Sequence, residues 1–309
     1  MKQEFKLITE GGVYRDLPME QYHSDCCAGP SVSSTVLRQS EIYSLRHGWL
    51  QSHLNPDREF NPAKHFRIGT ALHSLALEGE LSKKHFALSP YDEFRTKEAK
   101  DWRDKRLNEG KTVLKQTDVD KVKGMLESLL EEPVIQAGLF DENGELECSL
   151  IHKDEETGLW LKARPDVVPT NDMQVDLKSC ADARLRAVRR SIEEYGYYMQ
   201  LALSDELYEK VLGIKMKTHA FVFIESEPPY AVSVAELDED FIAWGRVQNR
   251  RAMRRFADCL SKGVEARHFP KYENAEYLVS APPWLSERLT KEQDAGLLPK
   301  FFETGYTGG

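Results

Sequence analysis

The cysteines and apolar runs of this 309-residue chain suggest neither a disulfide framework nor a membrane-spanning segment. Its five cysteines, Cys26, Cys27, Cys148, Cys180 and Cys259, are odd in number, and beyond the adjacent first pair they lie far apart with no CxxC. That spacing argues against a small disulfide scaffold, a zinc ribbon and a four-cysteine iron-sulfur site. No stretch approaches the roughly 18 apolar residues that a membrane span needs, and the opening MKQEFKLITEGG lacks the apolar core of a signal peptide. The expectation is a soluble, cytoplasmic protein with no membrane partner. Basic charge is also scarce: 42 Lys and Arg stand against 51 Asp and Glu, a net charge of −9. This overall field argues weakly against nucleic acid, so any such partner must be held by a local basic patch. Gly/Ser-rich linkers and internal repeats are missing too. With 40% hydrophobic residues, the chain reads as one cooperative unit over residues 1–309.

What is present divides into three stretches. Residues 1–140 read as helical after a short extended opening. The serines of GPSVSSTVLRQSEIYSLRHGWL serve as N-caps, and PAKHFRIGTALHSLALE, from about Pro62 to Glu78, presents one apolar face. Near Glu145 the period changes to two. LECSLIHK, LWLKARPDVV and QVDLKS then read as a three-stranded meander, followed by a helix from about Ala183 to Val211. The strands THAFVFIE and YAVSVAEL and a helix from about Asp238 to Leu260 complete residues 141–262. The order βββ-α-ββ-α predicts an α/β core, with residues 263–309 wrapping its surface as a tail.

The segment ARPDVVPTNDMQVDLKS carries the chemistry. Asp166 stands near the end of one strand, and Asp176 and Lys178 stand two apart on the next, where a period of two sends their side chains to one face. Two neighbouring carboxylates repel unless a cation lies between them, and hard oxygen ligands without a thiolate favour Mg²⁺, with Mn²⁺ able to substitute. Removing Asp166 is therefore expected to relieve repulsion in the metal-free protein. A lysine beside such an ion can orient the attacking water and offset charge on a phosphate, which points to phosphodiester hydrolysis. The competing reading is a surface hairpin of alternating charge. Glu147, at the start of the first meander strand, could complete the site as a further acid or be an ordinary solvated glutamate. His73, on an otherwise apolar helix face, reads by itself as a hydrogen-bonded core histidine.

The PD...DxK pattern in this setting resembles the PD-(D/E)xK nuclease superfamily. Five ordered segments resemble its exodeoxyribonuclease VIII (RecE-like) branch of bacteria and phages: YHSDCCAGPSVSSTVL, RIGTALHSLALE, FRTKEAKDWR, ECSLIHKDEETGLWLKARPDVV and FPKYENAEYLVSAPPWL. The resemblance implies a restriction-endonuclease-like fold, a mixed central sheet flanked by helices. It implies that Asp166, Asp176, the carbonyl of Leu177 and His73 bind the metal and that Lys178 is the catalytic lysine. Gln200 takes the place of the glutamine in the family's QxxxY motif, although the fourth residue after it is Ser204 rather than tyrosine.

An acidic protein needs a basic footprint to hold DNA. Arg184, Arg186, Arg189 and Arg190 follow directly on the DxK strand, and Arg246, Arg250, Arg251, Arg254 and Arg255 form a second cluster that can equally be a solvated face. By resemblance the protein is a Mg²⁺-dependent exonuclease acting on double-stranded DNA ends, 5′ to 3′, leaving a 3′ strand for recombination. A ring-shaped homo-oligomer and a single-strand annealing protein as partner belong to the same expectation. Its rivals are an endonuclease or flap nuclease of the same fold and a catalytically idle recombination scaffold.

Overall fold

The computed structural model describes residues 6–15, 17–58, 67–77, 79–132, 135, 144–146, 148–263, 265–272 and 280–298. Its first half contains β1 (Gly12–Tyr14), α1 (Met19–Tyr22), β2 (Ser31–Ser33), α2 (Ser34–Ile42), α3 (Leu45–Gln51), α4 (Arg67–Leu77), β3 (Phe86–Leu88), α5 (Lys97–Asn108), β4 (Thr112–Leu114) and α6 (Gln116–Leu130). Then follow β5 (Glu145–Leu146), β6 (Ser149–Lys153), β7 (Trp160–Ala163), β8 (Val167–Val168), β9 (Met173–Cys180), α7 (Leu185–Glu194), α8 (Tyr197–Leu212), β10 (Thr218–Glu225), β11 (Val232–Glu236), α9 (Glu239–Ser261) and α10 (Pro283–Asp294). The chain forms two compact units, Met1–Lys271 and Tyr272–Gly309. The second contains α10, which buries none of its residues. No helix among the described residues is long and apolar enough to cross a membrane.

Two sheets organise the first unit. One has the order β1-β6-β7-β2, so two N-terminal segments pair with the β6–β7 hairpin and the N-terminal region is not purely helical. The other has the order β11-β10-β9; β10 is parallel to β9 and antiparallel to β11. The parallel pair requires a crossover, which α7 and α8 supply. The expected single helix over this crossover breaks at Gly196, whose φ of 61° lies in the left-handed region where glycine pays no steric penalty.

The expected meander also differs. β7 ends at Ala163, and neither β7 nor β8 pairs with β9; β8 pairs with β5. Pro165 has no N–H to donate and cannot carry the β7 ladder into the PD segment. Asp166 therefore reaches β9 from an irregular stretch, leaving β9 at the edge of its sheet.

Packing divides the helices between the faces of the second sheet. Val175 and Leu177 of β9 face α4 and α6, in a core with Leu72, Val122, Met125 and Val222. Phe221 and Phe223, which pair with Asp176 and Lys178, face α7 and α8 with Val188, Ile192, Leu201 and Ala202. A third core joins α2, α3, α8 and α9 to the β6–β7 hairpin through Leu37, Trp49, Leu161, Leu207 and Phe256. Burying these side chains contributes roughly 1.5–3 kcal/mol each before entropy is counted. The helix α8 has buried residues facing both of its neighbouring cores, so any group it carries is held firmly.

Candidate active site at the edge of β9

A strand residue directs its N–H and C=O to the same side. The Leu177 N–H donates to Asp166 Oδ2 at 2.8 Å, on the edge away from β10, so the Leu177 carbonyl faces that edge as well. Asp166 thus satisfies a backbone donor that a further strand would otherwise take. Its Oδ1 lies 3.2 Å from His73 Nδ1, supplied by α4. Gly69, one turn earlier on α4, lies against β9: a Cβ there would stand 2.9 Å from Ser179 Oγ.

Asp176 and Lys178 share a face of β9. Asp176 Oδ1 accepts a hydrogen bond of 2.7 Å from Gln200 Nε2, while Oδ2 is ion-paired with Lys178 Nζ. Oδ2 is buried, with the Lys178 ammonium set against it. Lys178 Nζ also lies 5.2 Å from the Tyr197 ring centroid and 5.7 Å from that of Phe221. Side-chain exposure rises from 7% at Asp176 and 15% at Asp166 to 20% at Lys178 and 29% at His73. Solvent therefore enters over the two basic side chains.

The titration shifts follow from this arrangement. Burial alone raises Asp166, but His73, Lys178 and the Leu177 N–H outweigh it and hold the carboxyl below its ordinary value. Burial raises Asp176 further than Lys178 and His73 can lower it, and Asp166 adds to the rise. Burial lowers His73, yet the Asp166 carboxylate more than compensates and raises it overall. Each acid therefore has a basic side chain of the protein's own against it, and sequence reasoning that saw only repulsion between the acids missed this compensation.

Among the described residues no three His, Cys, Asp or Glu side chains form a ready-made metal cluster. The reason is visible in the pairing: His73 Nδ1 is turned onto Asp166, and Lys178 onto Asp176. The donor chemistry nevertheless fits a hard divalent ion. Two carboxylates, a backbone carbonyl and an imidazole nitrogen converge at the β9 edge strand, and Asp176 Oδ2 is a buried oxygen that already meets one cation, Lys178.

Thus His73, Asp166, Asp176, Leu177, Lys178 and Gln200 come together. Glu147 lies outside the described residues. Arg184, Arg186, Arg189 and Arg190 sit exposed on or beside α7; Arg184 pairs with Asp182, Arg189 with Glu193 and Arg190 with Glu194, whereas Arg186 has no partner among the described residues. The second arginine cluster is drawn into ion pairs: Arg246 with Asp205 and Glu209, Arg250 with Asp154, Glu156 and Glu206, Arg251 with Glu41 and Arg254 with Glu156. These arginines are thereby committed to the protein itself.

Four side chains that sequence reasoning did not assign also belong here. Tyr208, two turns beyond Gln200, donates its hydroxyl to the Val167 carbonyl at 3.1 Å and so braces the residue next to Asp166. Ser204, at the motif's tyrosine position, is buried. Tyr197 forms an aromatic wall beneath Lys178, and Arg38 of α2 lies over the same ring. The cluster of tyrosines around Gln200 was the available signal for Tyr208 and Tyr197; nothing in the sequence pointed to Arg38.

The family model described as a PDDEXK-like domain of unknown function (DUF3799) matches residues 45–281. No curated protein matches the chain. Among solved structures, a protein from Eubacterium rectale described as a "putative exonuclease" has a TM-score of 0.56 to this chain, covering 88% of it and 98% of that chain, at 13% identity. At that identity the likeness is one of fold. The structure of SSO0001 covers 60% of this chain and 84% of its own at 14% identity, with a TM-score of 0.26, too low to bear on the fold.

Proposed function

The chain belongs to the PDDEXK-like family of that description, and from this premise we propose that it is a divalent-metal-dependent nuclease that hydrolyses DNA phosphodiester bonds. The observation that carries the reading is the convergence of Asp166, Asp176 and Lys178 on one strand edge, with His73 against the first acid and Gln200 against the second. The specific reaction is removal of nucleotides from double-stranded ends, 5′ to 3′, leaving a 3′ single strand for recombination. That specificity, a ring-shaped homo-oligomer, an annealing-protein partner and a cytoplasmic setting are supported by the resemblance to the RecE-like branch.

Asp166, Asp176, the Leu177 carbonyl and His73 would hold the ion, which when bound supplies Lewis acidity and positive charge at the phosphate; Mg²⁺ is the proposed metal, with Mn²⁺ as a substitute. Asp166 keeps its place through the Leu177 N–H, and Gln200 fixes Asp176 by its Oδ1. Lys178 Nζ, backed by the Tyr197 and Phe221 rings, orients the attacking water and offsets charge developing on the phosphate oxygens. Arg186 and its neighbours on α7 supply phosphate contacts along the strand.

The test incubates end-labelled linear duplex and covalently closed circles with the wild type and Lys178→Ala, in Mg²⁺ and in EDTA. Release of the 5′ label by the wild type in Mg²⁺ alone is expected. Equal cutting of circles would replace the end-dependent reading with an endonuclease; hydrolysis that survives EDTA or Lys178→Ala would overturn the whole assignment.

A further inference from the structure

We propose that Arg38 binds a phosphate of the nucleic-acid substrate beside the scissile bond, as a substrate-positioning residue contributed by the N-terminal helix α2. The inference rests on the nuclease reading above and adds to it a contact from outside the PD...DxK motif.

Four observations converge on this residue. Its guanidinium lies over the Tyr197 ring at 5.4 Å, and the same ring carries Lys178 Nζ at 5.2 Å, so two cations share one aromatic wall. Arg38 lies close enough to Asp176 for that carboxylate to act on its charge. Its Nε is buried with no acceptor in reach, and no carboxylate pairs with it among the described residues. The arginines of α9 provide the contrast, since Arg246, Arg250, Arg251 and Arg254 all meet acids.

A buried guanidinium nitrogen without an acceptor loses the hydrogen bond that water would give it, and that is the position of Arg38 Nε. One contact is made: Nη1 donates to the Tyr195 carbonyl at 2.9 Å, just before the left-handed turn at Gly196. That bond aims the planar group without neutralising it. The group therefore retains donors for an anion and sits beside the lysine proposed to act on the phosphate. A phosphodiester has the required charge and acceptor geometry, and arginine's fork matches it better than a lysine ammonium. Both cations lie against the Tyr197 ring, at 5.4 Å and 5.2 Å from its centroid, which places them to meet neighbouring anionic groups of one strand.

A purely structural Arg38, holding α2 to the turn at Tyr195, predicts instability on substitution and no dependence on substrate charge. The distinguishing experiment pairs wild type, Arg38→Gln and Arg38→Lys with duplexes carrying one neutral methylphosphonate at the scissile linkage or at either adjacent one. Binding is read by fluorescence anisotropy in EDTA, and melting temperatures are read in parallel. At one of these linkages, neutralisation is expected to weaken wild-type binding about tenfold while leaving Arg38→Gln unchanged, since such a phosphate contact is of the order of a charge-assisted hydrogen bond. Arg38→Lys should recover part of the coupling. If wild type and Arg38→Gln respond equally at all three linkages, Arg38 contacts none of these phosphates and the proposal is overturned. If Arg38→Gln fails to fold, the Arg38→Lys series decides by the same comparison. Cleavage of unmodified duplex by wild type in Mg²⁺, run alongside, separates failure of this contact from failure of the nuclease reading.

Discussion

Replacing Gly245 by alanine should destabilise the protein even though alanine is the better helix former. Gly245 lies on α9 where that helix crosses α8, and an added Cβ would stand 2.8 Å from the Ala202 Cβ, 2.9 Å from the Tyr198 carbonyl oxygen and 3.3 Å from the Met199 Cα. Two of these atoms are backbone and the third is the first atom of a side chain, so none can rotate away. The helices must separate, although Asn249 Nδ2 ties α9 to the Met199 carbonyl at 2.8 Å and Tyr198 donates to Gln248 at 2.6 Å. Overpacking of this kind costs about 1–3 kcal/mol, against a propensity gain of at most about 1 kcal/mol. A net loss of about 1–2 kcal/mol is expected. Gly69→Ala provides the opposite case: its close neighbour is Ser179 Oγ at 2.9 Å, on an exposed side chain that can change rotamer, while Ser179 Cβ is at an ordinary 3.9 Å. That variant should be neutral or more stable by up to about 1 kcal/mol. Urea unfolding measures both as midpoint shifts at constant slope. Midpoints that shift in the same direction would refute the reasoning. Because α8 also carries Gln200, the Gly245 variant should lose cleavage rate on a well-folded background at low temperature.

Other expectations follow from specific pairings. Asp166→Ala should lower metal-free stability by about 1–3 kcal/mol, the cost of leaving the buried Leu177 N–H without an acceptor, rather than raise it through relief of repulsion; thermal melts in EDTA distinguish these outcomes. His53 is held down to about 3 by burial and by the charges of Lys162 and Arg58, so the unfolded state binds the extra proton first. Its contribution is complete above about pH 6.5 and is lost as the pH falls toward 3, amounting to about 2 kcal/mol between pH 7 and pH 5. His53→Gln should flatten the melting-temperature profile over that interval by a corresponding amount, and an unaltered slope would contradict this. Arg250→Ala should cost about 1–3 kcal/mol by stripping Asp154 of its guanidinium, with the salt dependence of DNA binding unchanged; Arg186→Ala should instead reduce the slope of log affinity against log salt by about one. A salt titration of both variants tests the assignment.

The local alternation of QVDLKS was enough to put Asp176 and Lys178 on one face, since strand geometry leaves little choice once the strand is recognised. The route taken by Asp166 was not legible, because it depends on the loss of pairing at Pro165 and on a carboxylate replacing a strand at the β9 edge. The partner strand of β9 was equally hidden: β10 begins 38 positions after β9 ends, and a parallel register has no turn to announce it. The mixed α/β architecture with flanking helices was expected and is found, as is membership in the PD-(D/E)xK superfamily. Arginine runs look identical in sequence whether their acids are near or absent. Arg250 finds Asp154, Glu156 and Glu206 only through tertiary packing, and Arg38 stands out because its buried Nε has no acceptor and no acid pairs with it among the described residues.

The carboxylate that accepts the Leu177 amide also has a protective role unconnected with hydrolysis. An edge strand with an open donor invites pairing with the backbone of another molecule, and here a side chain fills that opening. Loss of Asp166 would therefore both disable the site and create a sticky border, so an inactive variant made there would mix self-association with lost chemistry. A control made at Lys178 leaves the border sealed.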